Sequence, residues 1–210
     1  MEKLVQLKSK AAVWLIPNID TDVITPMKRI LSNPYQLAEY AFEPYRFING
    51  NADTGELEPG FILNQQQHQN TTIFIVGDNF GCGSSRETAP EAIAGMGIRC
   101  LISTSFGGIF FKNCFQQGIL PIVFSPEIID ELVNVASQGD FEVDLPNQTL
   151  KTPNDRQFSF QIGNRQRQLL LEGLDDVGLT LKRMNSILEY EQSDKLNRPW
   201  IYQVNDGTKV

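Results

Sequence analysis

Two serines and an arginine stand side by side in GDNFGCGSSRE, Gly77 to Glu87, within a glycine-rich stretch. A serine with no general base beside it is a poor nucleophile. The single histidine, His68, lies in the polar run Asn64 to Asn70. Oriented N–H donors and a cation offer another route, because they can stabilise a serine alkoxide enough for it to remove a proton. Arg86 brings a planar fork of donors that matches a carboxylate. Gly81 and Gly83 can adopt positive φ and let a ligand reach the backbone. The chemistry on offer is anion binding with proton abstraction by Ser84 or Ser85.

These residues need a strand and a helix to hold them. Thr71 to Val76, TTIFIV, is β-branched, aromatic and uncharged, which suits a strand buried on both faces. Thr88 to Met96 follows with a capping residue, a proline in the first turn and apolar residues at helical spacing. A helix start directly after the loop presents free N–H groups to an anion. The alternation continues with a strand over Ile98 to Ile102, a helix over Gly108 to Gln117 and a strand over Ile119 to Phe124. Gly97 and Gly118 punctuate the helix ends. This βαβαβ order predicts a parallel core whose loops gather at the strands' carboxyl ends, placing Ser103 to Gly107 near Gly81 to Arg86.

Other readings of the loop are open to direct comparison. A dinucleotide fingerprint needs glycine where Arg86 stands, a P-loop needs lysine after its last glycine, and a nucleophile elbow needs glycine where Glu87 stands. None of these fits. A plain turn, with the serines capping the helix and Arg86 a surface cation, is the simpler alternative. A second polar turn, Asn18-Ile-Asp-Thr-Asp22, follows the strand-like AAVWLIP. Its aspartates do not complete a calcium loop, and an Asx turn capping backbone N–H groups accounts for them.

NFGCGSSRE closely resembles the signature of the aconitase superfamily's swivelling domain, and specifically that of 3-isopropylmalate dehydratase small subunits. NIDTDVITP at Asn18 to Pro26, STSFGGIFFKNCFQQGILPI at Ser103 to Ile122 and GLDDVGLTL at Gly173 to Leu181 fit the same family in order. The likeness runs from about Asn18 to about Glu191. It implies an α/β fold, a three-layer β/β/α swivelling domain over residues 1–192, followed by a polar tail over 193–210. Residue by residue, it implies that Ser84 is the base that takes a carbon-bound proton and that Asp22, with Thr21, is an acidic position beside it. Ser85 and Arg86 then bind a substrate carboxylate. The segment after Pro26 resembles the family's variable wall, with Met27, Ile30 and Leu31 as apolar surface and Lys28 or Arg29 as a second cation. An ordinary exposed helix start is the other reading of those residues. Thr88 stands where the family commonly has histidine.

The resemblance further implies a hydro-lyase of leucine biosynthesis that isomerises 2-isopropylmalate through 2-isopropylmaleate. It assigns the [4Fe–4S] cluster to a separate large subunit, with no cofactor on this chain. Homoaconitate, citraconate or 2-methylmalate are the neighbouring substrates within the superfamily. A non-catalytic anion-binding module and a purely structural subunit are the readings from other classes.

The 210 residues suit one domain. A formal charge of −7 without a basic stripe argues against a nucleic-acid surface, so an anion site must be built locally. No stretch approaches the ~20 apolar residues of a membrane span. Cys82, Cys100 and Cys114 lack paired spacing, which suggests reduced thiols and a cytosolic setting. Cys100 and Cys114 read as small buried hydrophobes and Cys82 as an exposed, oxidation-sensitive loop thiol. After Gly139, FEVDL, QTLKT and RQFSFQI read as short antiparallel strands, and helices are expected near Asn164 to Glu172 and Leu179 to Gln192.

Overall fold

The computed structural model describes residues 1–202. Strands β1 (Gln6–Ser9) and β2 (Ala11–Trp14) come first, followed by α1 (Thr21–Ile24), α2 (Met27–Ser32) and α3 (Glu43–Arg46). An alternating stretch follows: β3 (Ile73–Val76), α4 (Thr88–Gly95), β4 (Cys100–Ser103), α5 (Gly108–Gln116), β5 (Leu120–Val123) and α6 (Pro126–Val135). Then come β6 (Phe141–Asp144), β7 (Thr149–Lys151), β8 (Gln157–Ser159), α7 (Asn164–Glu172), α8 (Asp176–Leu181) and α9 (Met184–Asn197). The described chain forms two compact units, Met1–Leu174 and the residues from Asp175 onward.

β2, β3, β4 and β5 form a parallel sheet in sequence order, in register through Ala12↔Phe74, Phe74↔Leu101 and Ile102↔Ile122. Every residue of β3 and β4 is buried, as expected of strands covered on both faces. Phe74, Val76 and Leu101 pack with Ala89, Ala92 and Ile93 of α4 and with Phe110 and Cys114 of α5. Pro121 is accommodated because β5 is an edge strand. Gly97 and Gly118 take φ of +88° and +75°, the left-handed turns expected after α4 and α5.

The second sheet is antiparallel in the order β1-β6-β7-β8. β6 alternates buried and half-buried residues, Phe141 and Val143 inward, the pattern of a strand with one solvated face. β1 joins it through Leu7↔Val143 and Lys8↔Glu142, whereas β2 belongs to the parallel sheet. The chain therefore changes sheets at Lys10, where Ser9 Oγ donates to the Lys10 carbonyl and accepts from the Thr72 amide.

The C-terminal part differs from the sequence expectation. The expected helix Leu179 to Gln192 is two helices, because Asp175 Oδ1 accepts from the Gly178 amide at 2.7 Å and starts α8 early. Helix α9 runs past Gln192 to Asn197, and Asp194 then accepts from Arg198 Nε and from the Tyr202 hydroxyl. Residues 193–202 are therefore helical or turn-forming. The remainder of the expected tail lies outside the described residues.

Candidate active site

Three loops meet at the carboxyl end of the parallel sheet. From β2, the Asn18 amide donates to the Asp78 carbonyl (2.8 Å) and the Thr21 amide to the Cys82 carbonyl (3.0 Å). The Gly81 amide donates back to the Ile19 carbonyl at 2.7 Å, so the two loops run side by side as a short ladder. From β4, the Ser105 carbonyl accepts from the Phe80 amide and the Gly107 amide donates to the Phe80 carbonyl. Asp78 accepts from the hydroxyls of Ser105 (2.5 Å) and Thr104 (2.9 Å), and these bonds lower its carboxyl pKa. Ser103 to Gly107 thus lies against Gly81, as the βαβαβ order requires.

Gly81 cannot be replaced by a larger residue without cost. Its φ is +72° and a Cβ there would overlap the Phe110 ring. At Gly107 an added Cβ would overlap the Gly81 carbonyl.

Beyond Gly83, the Ser84 amide points to Thr21 Oγ1 at 3.4 Å, and Thr21 is fully buried. Asp20 caps α1 by accepting from the Val23 amide at 2.8 Å, which turns Asp22 outward. Arg86 grips that side chain in a two-pronged pair, NH1 to Oδ1 at 2.6 Å and NH2 to Oδ2 at 3.0 Å. Ser84 is half-buried and Ser85 exposed. The structure therefore brings Thr21, Asp22, Ser84, Ser85 and Arg86 to one junction.

Thr88 is not the cap of α4. Glu87 occupies the cap position without a side-chain bond, Thr88 is the first helical residue, and its hydroxyl is buried without a partner. Its carbonyl accepts from Thr25 Oγ1 at 3.3 Å, which ties α4 to the end of α1.

Arg29 is placed differently from the sequence expectation of a second substrate cation. Its guanidinium is buried and donates to both carboxylate oxygens of Glu43, Nε at 2.9 Å and NH2 at 2.6 Å, while NH1 pairs with Asp53. Its other face stacks on Tyr40. Glu43 also accepts from the Ala52 amide at 3.0 Å and from Lys28 Nζ at 3.0 Å. Sequence reasoning missed Glu43, which stands 14 positions from Arg29 with no local pattern to link them. The Phe42 amide beside it donates to the Ile24 carbonyl, so this node braces the α1–α2 turn. Ile30 is half-buried, whereas Met27 and Leu31 are 45% and 78% exposed.

Cys100 and Cys114 are buried, and burial raises both thiol pKa values. Cys82 is half-buried, its thiol pKa raised by burial and by the Asp20 charge. Among the described residues no three His, Cys, Asp or Glu side chains converge on a metal-sized site. These cysteines do not fit an iron–sulfur cluster, which requires several thiolates in one place.

The Aconitase C-terminal domain model matches residues 1–127, a span that contains all three loops. Small subunits of 3-isopropylmalate dehydratase from Rhizobium meliloti and Paracoccus denitrificans are 44% and 43% identical over 206 residues, spanning 95% and 96% of this chain and the whole of each relative. The chain belongs to the 3-isopropylmalate dehydratase small-subunit family. A crystal structure of 3-isopropylmalate dehydratase from Methanocaldococcus jannaschii matches with a TM-score of 0.63 at 25% identity, covering 88% of this chain and 99% of that one. Membership of the small-subunit family extends past the domain model, through the antiparallel sheet and into the helices that follow it.

Proposed function

We propose that this chain is the small subunit of a heteromeric hydro-lyase that converts 2-isopropylmalate to 3-isopropylmalate, a step of leucine biosynthesis. The observation that carries the reading is the junction that sets Ser84 and Arg86 against the Thr21–Asp22 turn. Among the described residues neither Ser84 Oγ nor Ser85 Oγ has a hydrogen-bond partner, so both are free to meet a ligand. Ser84, as alkoxide, takes the proton from the carbon next to the hydroxyl-bearing one. The freed electron pair forms the double bond as hydroxide departs, giving 2-isopropylmaleate. Addition of water in the opposite sense places the hydroxyl on the neighbouring carbon.

Arg86 and Ser85 orient one carboxylate, and the cation steadies the charge that builds on the substrate as the proton leaves. Thr21 positions the Ser84 backbone through its hydroxyl, and Asp22 is the acidic group paired with Arg86 in the free chain. Met27 and Leu31 supply exposed apolar surface for the isopropyl group. Arg29, held by Glu43 and Asp53, takes no direct part. Lewis acidity for the departing hydroxide is assigned to the [4Fe–4S] cluster of the partner large subunit. The reduced cysteines fit a cytosolic enzyme.

Reconstitution with the large subunit tests this, with absorbance of the unsaturated intermediate as the readout. Ser84→Ala should lower turnover by at least about 100-fold, and Arg86→Lys should raise KM and lower kcat, because lysine cannot make the two-pronged contact. Unchanged turnover in both variants, with circular dichroism also unchanged, would sink the reading.

A further inference from the structure

Two arginines in this protein hold carboxylates in the same forked geometry, in opposite surroundings. Glu43 is 1% exposed and has four donors converging on it, so it serves as a fixed strut for Arg29. Asp22 is 56% exposed while its partner Arg86 is only 20% exposed. The guanidinium fork is therefore taken up by a carboxylate that is itself open to solvent. Asp22 has no other side-chain partner among the described residues, whereas its neighbour Asp20 is anchored to the Val23 amide. Among the described residues only Arg86 holds its carboxylate.

We infer that Asp22 is a stand-in for the ligand: in the free chain its carboxylate occupies the Arg86 fork, and an incoming dicarboxylate must exchange with it. This rests on the proposed role of Arg86 and adds a step to it. An exposed ion pair is worth ~0.2–1 kcal/mol, so the exchange is easy, and it weakens binding by up to about fivefold. Repulsion between Asp22 and a dianion adds to that. Exchange also frees Asp22 beside Ser84 only once the site is filled.

The isolated chain and its Asp22→Asn and Asp22→Ala variants, titrated with maleate by calorimetry at low salt, test the inference. Both variants should bind maleate at least about threefold more tightly than the natural chain, and adding Arg86→Lys to either should abolish the gain. Equal or weaker binding by the variants would overturn it and make Asp22 a strut that aims Arg86. So would failure of all three proteins to bind. In the reconstituted enzyme, Asp22→Asn should lower both KM and kcat. If Ser84→Ala and Arg86→Lys leave turnover intact, the proposed function fails whatever Asp22 does; if they remove it while Asp22→Asn binds no better, only the exchange fails.

Discussion

Glu43 shows how a buried carboxylate stays ionised. Burial alone would raise its pKa, but the bonds from Arg29, the Ala52 amide and Lys28 outweigh burial and lower it from 4.5 to about 2. A folded-state pKa below the unfolded value gives stability that is complete above pH 4.5 and is lost as the pH falls toward 2. Glu43→Gln should therefore destabilise the protein by up to ~3–5 kcal/mol at pH 7, since it removes the buried negative charge on which two of the Arg29 donors converge and leaves only the exposed Asp53 as its ion-pair partner. Urea titrations should show its deficit shrinking steadily below pH ~4.5. With its thiol pKa raised, Cys82 should react with a disulfide reagent more slowly than a free cysteine does, and Cys100 and Cys114 should react only on unfolding. The expectation of an oxidation-sensitive loop thiol missed the neighbouring Asp20, which arrives from another loop. Ser84 and Arg86 stand out as candidates in the sequence because their chemistry is compressed into three consecutive positions. Glu43 does not, because a buried charge declares itself only through partners that folding brings to it.

Strands and helices of the central stretch were readable from their hydrophobic texture, with ends displaced by a residue or two. Propensity marks where a strand is favoured, while hydrogen bonding to its neighbours decides where it stops. β1 shows the limit: QLKS has no strong strand pattern and becomes a strand by pairing with β6, aided by Lys8 and Glu142 across the ladder. Thr88 is another case, where Glu87 takes the cap and the threonine falls inside the helix. Glycine at a loop apex can be required for its dihedral angle or for its size, and this chain separates the two. Gly55 and Gly81 have φ of +71° and +72°, but only Gly81 faces an aromatic ring. Gly55→Ala should cost ~1–2 kcal/mol for the left-handed backbone. Gly81→Ala should cost more than that by a further ~1–3 kcal/mol of overpacking, read as a lower urea midpoint, and should also reduce turnover in the assembled enzyme.

For the molecule as a whole, the two-sheet α/β architecture follows the order of its elements, and the alternation in the middle of the chain made half of it readable. The first compact unit ends at Leu174, inside the GLDDVGLTL motif. The motif begins with Gly173, whose φ of +69° closes α7 before the next cap at Asp175. If the proposed reading holds and a partner large subunit supplies the cluster, the purified chain should show no iron–sulfur absorbance and no turnover, and both should appear on mixing with that subunit.

The crossing at Lys10 has a mechanical meaning. One residue separates an edge strand of one sheet from an edge strand of the other, so the pleats of both are locked in phase like teeth on a common shaft. Inserting a single alanine there would turn one strand inside out, driving Leu7 and Ser9, or Ala11 and Val13, onto the wrong face.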